Sequence, residues 1–113
     1  MAADTPGDRK RHFVRRIVDA ERADEPAVFE TDGVTVVYDD RTVELELTPD
    51  QRARLESLLS EYRVFKLQQP ETRKAADGVV YVSAVTDAKH AADFLEAVFR
   101  EVYGRPRGYE IGR

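Results

Sequence analysis

The residues of this sequence with the clearest chemical potential are cationic and lie close together near its beginning. The segment "RKRHFVRR", residues 9–16, holds five arginine and lysine side chains in eight positions. Guanidinium and ammonium groups bind carboxylates and phosphates through charge-assisted hydrogen bonds. The candidate anion-binding residues are therefore Arg9, Lys10, Arg11, Arg15 and Arg16.

This cationic segment belongs to a chain that is acidic as a whole. Residues 1–22 contain six cationic and four acidic side chains, a net charge of +2, whereas the whole sequence has a formal net charge of −4. Such an asymmetry is typical of proteins that contact a polyanion with one end. Nucleic acid is therefore one candidate partner, although the segment is small for a nucleic-acid surface and the predicted sheet lacks an exposed aromatic row for base stacking.

The first three cations conflict with the electrostatics of a helix. The pattern predicts a helix over residues 9–23 with Asp8 as its N-cap, which places all three in the first turn. The positive end of the helix dipole disfavours a cation there by a few tenths to about 1 kcal/mol. A bound anion would relieve the conflict, and so would a helix that begins later, near His12.

Residue types that carry catalysis are sparse. His12 and His90 lack the spacing of paired metal ligands, and neither the serines nor the glycines form a nucleophile or phosphate-binding motif. Cysteine is absent, which excludes disulfides and thiolate metal sites. We expect a protein that is not an enzyme and that uses no cofactor.

Four acids offer the oxygen ligands that a divalent cation prefers. Two of them alternate with apolar residues along a predicted strand, so the solvated face of that strand explains them without a metal ion. We therefore predict no metal site at these acids, which are Asp39, Asp40, Glu44 and Glu46.

Apolar periodicity predicts an α+β fold, in which amphipathic helices pack on one face of a small, mostly antiparallel β-sheet. The predicted order is helix, strand, strand, helix, strand, helix. The clearest elements are the helix 9–23, the strands "VTVVY" and "TVELEL", a helix from Thr48 and Pro49 to Tyr62, the strand 79–85, and a helix that opens at Thr86 and Asp87 and ends at Gly104.

Several segments allow more than one interpretation. "VFETDG" fits a short strand, and residues 64–67 fit either a strand or a helix continuation. Residues 68–78 fit a flexible loop, unless "ETRKA" pairs with the strand that follows. The tail fits an edge strand through Tyr109 and Ile111.

Length and composition predict a flexible N-terminus over residues 1–8 and a single domain over residues 9–113. The beginning of the sequence lacks the pattern of a signal peptide, and no apolar stretch is long enough to span a membrane, so we expect a cytoplasmic protein. The preference for arginine over lysine and the absence of asparagine fit a G+C-rich genome and also a halophile.

The sequence favours a function by association. Three amphipathic helices and a small sheet supply many apolar faces for a short chain, and its aromatic side chains need not all fit one interior. We expect a homodimer or a module that binds another protein. Binding of nucleic acid or another polyanion through the first helix is the alternative.

Overall fold

The computed structural model describes residues 4–68 and 78–111 and confirms the α+β class. In these residues the elements are α1 (Pro6–Ala23), β1 (Ala27–Thr31), β2 (Val34–Asp39), β3 (Thr42–Glu46), α2 (Pro49–Glu61), β4 (Lys66–Gln68), β5 (Val79–Ser83) and α3 (Ala88–Ala97). The three helices pack against one face of the five-stranded sheet, in which each pair of neighbouring strands is antiparallel. The spatial order of the strands is β1-β2-β3-β5-β4.

Helix α1 begins three residues earlier than predicted, and its cap is different. Thr5, not Asp8, is the N-cap, and its hydroxyl accepts a hydrogen bond from the Asp8 amide at 3.2 Å. Pro6 follows at the first helical position, where its fixed φ and missing N–H cost nothing. The helix therefore includes residues 6–8, and Arg9 lies in its first full turn.

The described residues form two strands more than the predicted order contains. "VFETDG" contributes β1, and the ambiguous residues 64–67 contribute to β4. Strand β5 lies between β3 and β4, as expected of an apolar internal strand. The proposed pairing of "ETRKA" falls outside the residues that the structure describes. In the tail Tyr109 and Ile111 are buried, and Ile111 makes a single β-bridge in place of the expected strand.

Two of the three predicted helix starts follow the sequence signals closely. Thr48 and Gln51 form the reciprocal capping box at the start of α2, and Pro49 is the first helical residue. Asp87 caps α3 and accepts from the His90 amide at 2.8 Å. Helix α3 continues into a π-helical turn, Val98–Val102, before Gly104 adopts φ +69°.

The core lies between the helices and the inner face of the sheet. Phe29, Val36, Val43 and Val82 are fully buried, and each points toward the helices from a different strand. Helix α1 packs against α3 and against the π-helical turn that follows it, where the rings of Phe13 and Phe99 are parallel with centroids 6.0 Å apart. The residues that alternate with these core positions form an outer sheet face that the helices leave uncovered.

Tight hairpins connect β1 to β2 and β2 to β3. Asp32 and Gly33 have φ values of +49° and +81° in the first, and Asp40 and Arg41 have +48° and +58° in the second. Two positive φ values in a two-residue loop are typical of the type I′ turn, which matches the twist of the flanking strands. Arg41 therefore holds a left-handed conformation that favours glycine.

We predict that Arg41→Gly stabilises the protein by about 0.5–1 kcal/mol, because the relief of left-handed strain, about 1–2 kcal/mol, exceeds the added entropy of the unfolded chain. Thermal unfolding should show a midpoint raised by several °C. Asp39→Gly, within β2, is the control and should lower it. A lower midpoint for Arg41→Gly would contradict the strain argument.

Tyr103 fixes the end of α3 to the sheet, since its hydroxyl donates to the Glu46 carbonyl at 2.9 Å. Burial raises the pKa of Tyr103 to about 12 from an ordinary value of 10.0. A group whose pKa is higher in the folded state stabilises the fold fully at pH below its unfolded value and loses that contribution as the pH rises through its folded value. This contribution is therefore lost between about pH 10 and pH 12.

Tyr103→Phe should lower the free energy of unfolding by about 1 kcal/mol at pH 7. It should also make the decline of that free energy between pH 10 and pH 12 shallower than in the wild type. Urea unfolding across this pH range measures both effects. Tyr81→Phe, on the outer sheet face, is the control, and an equal effect of the two substitutions would refute the role of Tyr103.

Candidate functional site

Arg9, the first of the predicted anion-binding residues, lies in the interior of the protein. Its side chain is 0% exposed and forms a two-pronged ion pair with Glu96 of α3. The Nε atom donates to Glu96 Oε1 at 2.8 Å, and Nη2 donates to Oε2 at 2.7 Å. The charge that the sequence suggested for an external anion is neutralised by an internal carboxylate.

The tail completes the surroundings of this ion pair. Arg9 Nη1 donates to the Tyr109 carbonyl at 2.8 Å, and Nη2 donates to the Arg107 carbonyl at 2.9 Å. The Tyr109 ring lies 3.9 Å from the guanidinium carbon, and its hydroxyl donates to Glu96 Oε1 at 2.8 Å. Four of the five guanidinium N–H groups therefore have a partner.

The cluster of Arg9, Glu96 and Tyr109 stabilises the protonation states that its hydrogen bonds need. The bond to Glu96 raises the pKa of Arg9, so the guanidinium remains charged. Burial, followed by the bond to Glu96, raises the pKa of the Tyr109 hydroxyl, which keeps its proton and acts as a donor. The arrangement fixes α1, α3 and the tail together and exposes no reactive group.

We predict that Arg9→Met destabilises the protein by about 3–5 kcal/mol, because Glu96 then remains buried without its cation. The double variant Arg9→Met/Glu96→Met should recover about half of the loss, since it removes the unpaired charge as well. Urea unfolding measures both. Arg52→Met, which breaks an exposed pair with Glu56, is the control and should cost less than about 1 kcal/mol. If Arg9→Met lowered the free energy of unfolding no more than Arg52→Met does, the stabilising role of the buried ion pair would be wrong.

The other four predicted residues lie at the surface, in two places. Lys10, Arg11 and Arg15 border a groove between α1 and α3. Arg16 lies on another side of α1, where its guanidinium is 5.5 Å from the Phe29 ring and 3.4 Å from the Val28 carbonyl. For these residues anion binding stays a prediction.

The groove, which we call the α1–α3 groove, has an apolar floor and a charged border. It encloses about 410 Å³, and almost all of its accessible lining is apolar. Val14 of α1 and Ala92 of α3 contribute the floor. The border residues are Lys10, Arg11, Arg15, Lys89 and Asp93.

The border has more positive than negative charge. Lys10 bridges the groove to Asp93 with an Nζ to Oδ1 distance of 3.3 Å, and Arg11 pairs with Asp8 on its own helix. Among residues 4–68 and 78–111, no carboxylate lies within 4.0 Å of the charged groups of Arg15 or Lys89. These two cations can therefore turn toward an incoming anionic group at little cost.

The histidines and the acid group do not form a reactive centre. His90 is exposed, with Nδ1 2.7 Å from Asp87 Oδ1 at the start of α3. His12 is half-buried, and its Nε2 has no hydrogen-bond partner in the described parts of the chain. The acids at 39, 40, 44 and 46 are exposed, and no three His, Cys, Asp or Glu side chains gather as a metal site within those parts.

In residues 4–68 and 78–111, no helix combines the length and the apolar character needed to cross a membrane.

Sequence reasoning missed Glu96, Tyr109 and Lys89. One signal for the buried ion pair is visible in the sequence: Arg9 precedes Phe13 by four residues and Ile17 by eight, the spacing of one buried helix stripe. Glu96 stands within the apolar run "FLEAVF". Lys89 has no such signal, because its place in the groove depends on how α3 packs beside α1.

A comparison with protein-family models matches residues 1–113 to the "Family of unknown function (DUF7975)". The match covers the whole sequence. No curated protein and no solved structure matches the chain.

Proposed function

The chain belongs to the DUF7975 family, and we propose that it acts by association in the cytoplasm, without catalysis, as a module whose α1–α3 groove binds an acidic surface or segment of another polypeptide. The observation that carries the proposal is the composition of the groove. An apolar floor lies between cationic borders, two of whose side chains, Arg15 and Lys89, have no acidic partner in the described chain. The fitting ligand therefore combines apolar side chains with carboxylates.

Both parts of the groove are needed for measurable affinity. Covering a valine-sized floor contributes about 1–2 kcal/mol, and each exposed ion pair contributes about 0.2–1 kcal/mol. With the two unpaired cations the sum is about 1.4–4 kcal/mol, and only its upper end reaches the ~4 kcal/mol of a millimolar complex. A ligand that matches only the charge or only the floor should bind too weakly to matter.

Polypeptide fits the groove better than nucleic acid does. Burial of Arg9 and the separate position of Arg16 leave fewer cations on one surface than the sequence suggested. The groove contains no aromatic side chain among its lining residues, so bases have no ring to stack on. Nucleic-acid binding through α1 stays the alternative and is one outcome of the experiment.

The test measures fluorescence anisotropy at low salt with a labelled peptide rich in glutamate and leucine. Val14→Asp and the double variant Arg15→Glu/Lys89→Glu should each weaken binding at least about tenfold, because they remove the floor and the border charge respectively. Val64→Asp and Arg52→Glu/Arg63→Glu make matched changes at exposed positions elsewhere and should leave binding unchanged.

The same assay with single-stranded and duplex oligonucleotides separates the two candidate functions. If an oligonucleotide binds more tightly than the peptide, with a steep dependence on salt, the polyanion alternative replaces the proposal. If Val14→Asp has no effect on peptide binding, the groove is not the binding surface.

A further inference from the structure

The outer sheet face is a second surface, which none of the helices in residues 4–68 and 78–111 covers. One row of residues crosses it from β1 to β5, because Val28 lies opposite Val37, Val37 opposite Glu44, and Glu44 opposite Tyr81. The apolar members of the face are half-buried, and no described helix covers them. We define the outer sheet face by Val28, Val37, Val79, Tyr81, Glu30, Asp39, Glu44 and Glu46.

The charge of this face is opposite to the charge of the α1–α3 groove. Four carboxylates surround the apolar residues, and Lys66 of β4 is the one cation on the described strands of the face. The groove has Lys10, Arg11, Arg15 and Lys89 around its apolar floor. Each surface therefore has the apolar centre and the charge that the other one requires.

We infer that the outer sheet face of one copy of the chain docks on the α1–α3 groove of a second copy. This inference rests on the proposed function, because it names a second copy as the acidic partner. Docking would give the open sheet face the helical layer that it lacks on that side, and helices against a sheet are a packing the molecule already uses on its other face.

The two surfaces point in opposite directions, since the groove is on the solvent side of the helices and the outer sheet face is on the solvent side of the sheet. Association is therefore head to tail, and each bound copy presents a new groove and a new sheet face. The assembly grows with concentration instead of stopping at a symmetric dimer.

The sheet face is small for a protein–protein interface, and the association is therefore weak. Five strands about 4.8 Å apart and about five residues long, at ~3.4 Å per residue, cover roughly 400 Å². That is about half of the ~800 Å² that each partner buries in a standard interface. We expect a dissociation constant on the order of 1 mM, as for other ligands of this groove, and chains of copies only at high concentration and low salt.

The test uses two complementary variants in sedimentation velocity. Arg15→Glu/Lys89→Glu blocks the groove and keeps the sheet face, whereas Glu30→Lys/Glu44→Lys blocks the sheet face and keeps the groove. At about 1 mM the wild type should sediment as a mixture of species heavier than 12.9 kDa. Each variant alone should sediment as a monomer, with an unchanged circular dichroism spectrum.

An equimolar mixture of the two variants is the decisive sample, because it contains one intact pair of surfaces. It should associate into species of at least twice the monomer mass, because the substituted groove of one variant also meets exchanged charge on the substituted sheet face of the other. The variant with all four substitutions has both charges exchanged and should associate again. Glu56→Lys/Glu61→Lys makes the same charge change on α2 and should behave as the wild type.

The outcomes separate this inference from the proposed function. A wild type that remains monomeric at about 1 mM but binds the acidic peptide overturns self-association and leaves the peptide groove in place. A closed dimer that survives the groove substitutions overturns head-to-tail docking. A monomer that also fails to bind the peptide overturns both.

Discussion

The fold depends on one buried ion pair, Arg9 with Glu96. A guanidinium and a carboxylate removed from water destabilise a protein by several kcal/mol per ion unless hydrogen bonds replace the lost hydration. Here the replacement comes from three groups of the tail: the carbonyls of residues 107 and 109 and the hydroxyl of Tyr109. The ion pair therefore couples the stability of helix α1, helix α3 and the tail.

The same interaction explains why a cationic cluster near the beginning of the sequence is not one surface. Helix geometry divides it, since residues four apart share a stripe and neighbours do not. Arg9 shares the stripe of Phe13 and turns inward, Lys10 reaches across to Asp93, and Arg15 remains at the border of the groove. A count of charges in a window of sequence adds together groups that the helix sends in different directions.

Local sequence signals predicted most of the fold, but they could not predict pairings between residues that are distant along the chain. The capping box of Thr48 and Gln51 and the alternation in β3 depend on neighbours within a few residues, so spacing alone identifies them. The partner of Arg9 is 87 positions away, and no short-range pattern connects the two. The start of α1 was placed too late for a related reason. Asp8 and Thr5 are both acceptable caps, and the burial of Arg9, which lies in the helix that Thr5 caps, depends on partners far along the chain.

The distance along the chain between Arg9 and its partners has a consequence for the order of synthesis. Arg9 is synthesised 87 residues before Glu96 and 100 residues before Tyr109, so until Glu96 is made its guanidinium has no carboxylate partner from this cluster and stays hydrated. In a chain that ends before residue 96, the Arg9 guanidinium lies on the helix stripe that faces the core and has no Glu96 carboxylate to pair with. The contacts of α1 through Arg9 can therefore form in full only after α3 and the tail have been synthesised.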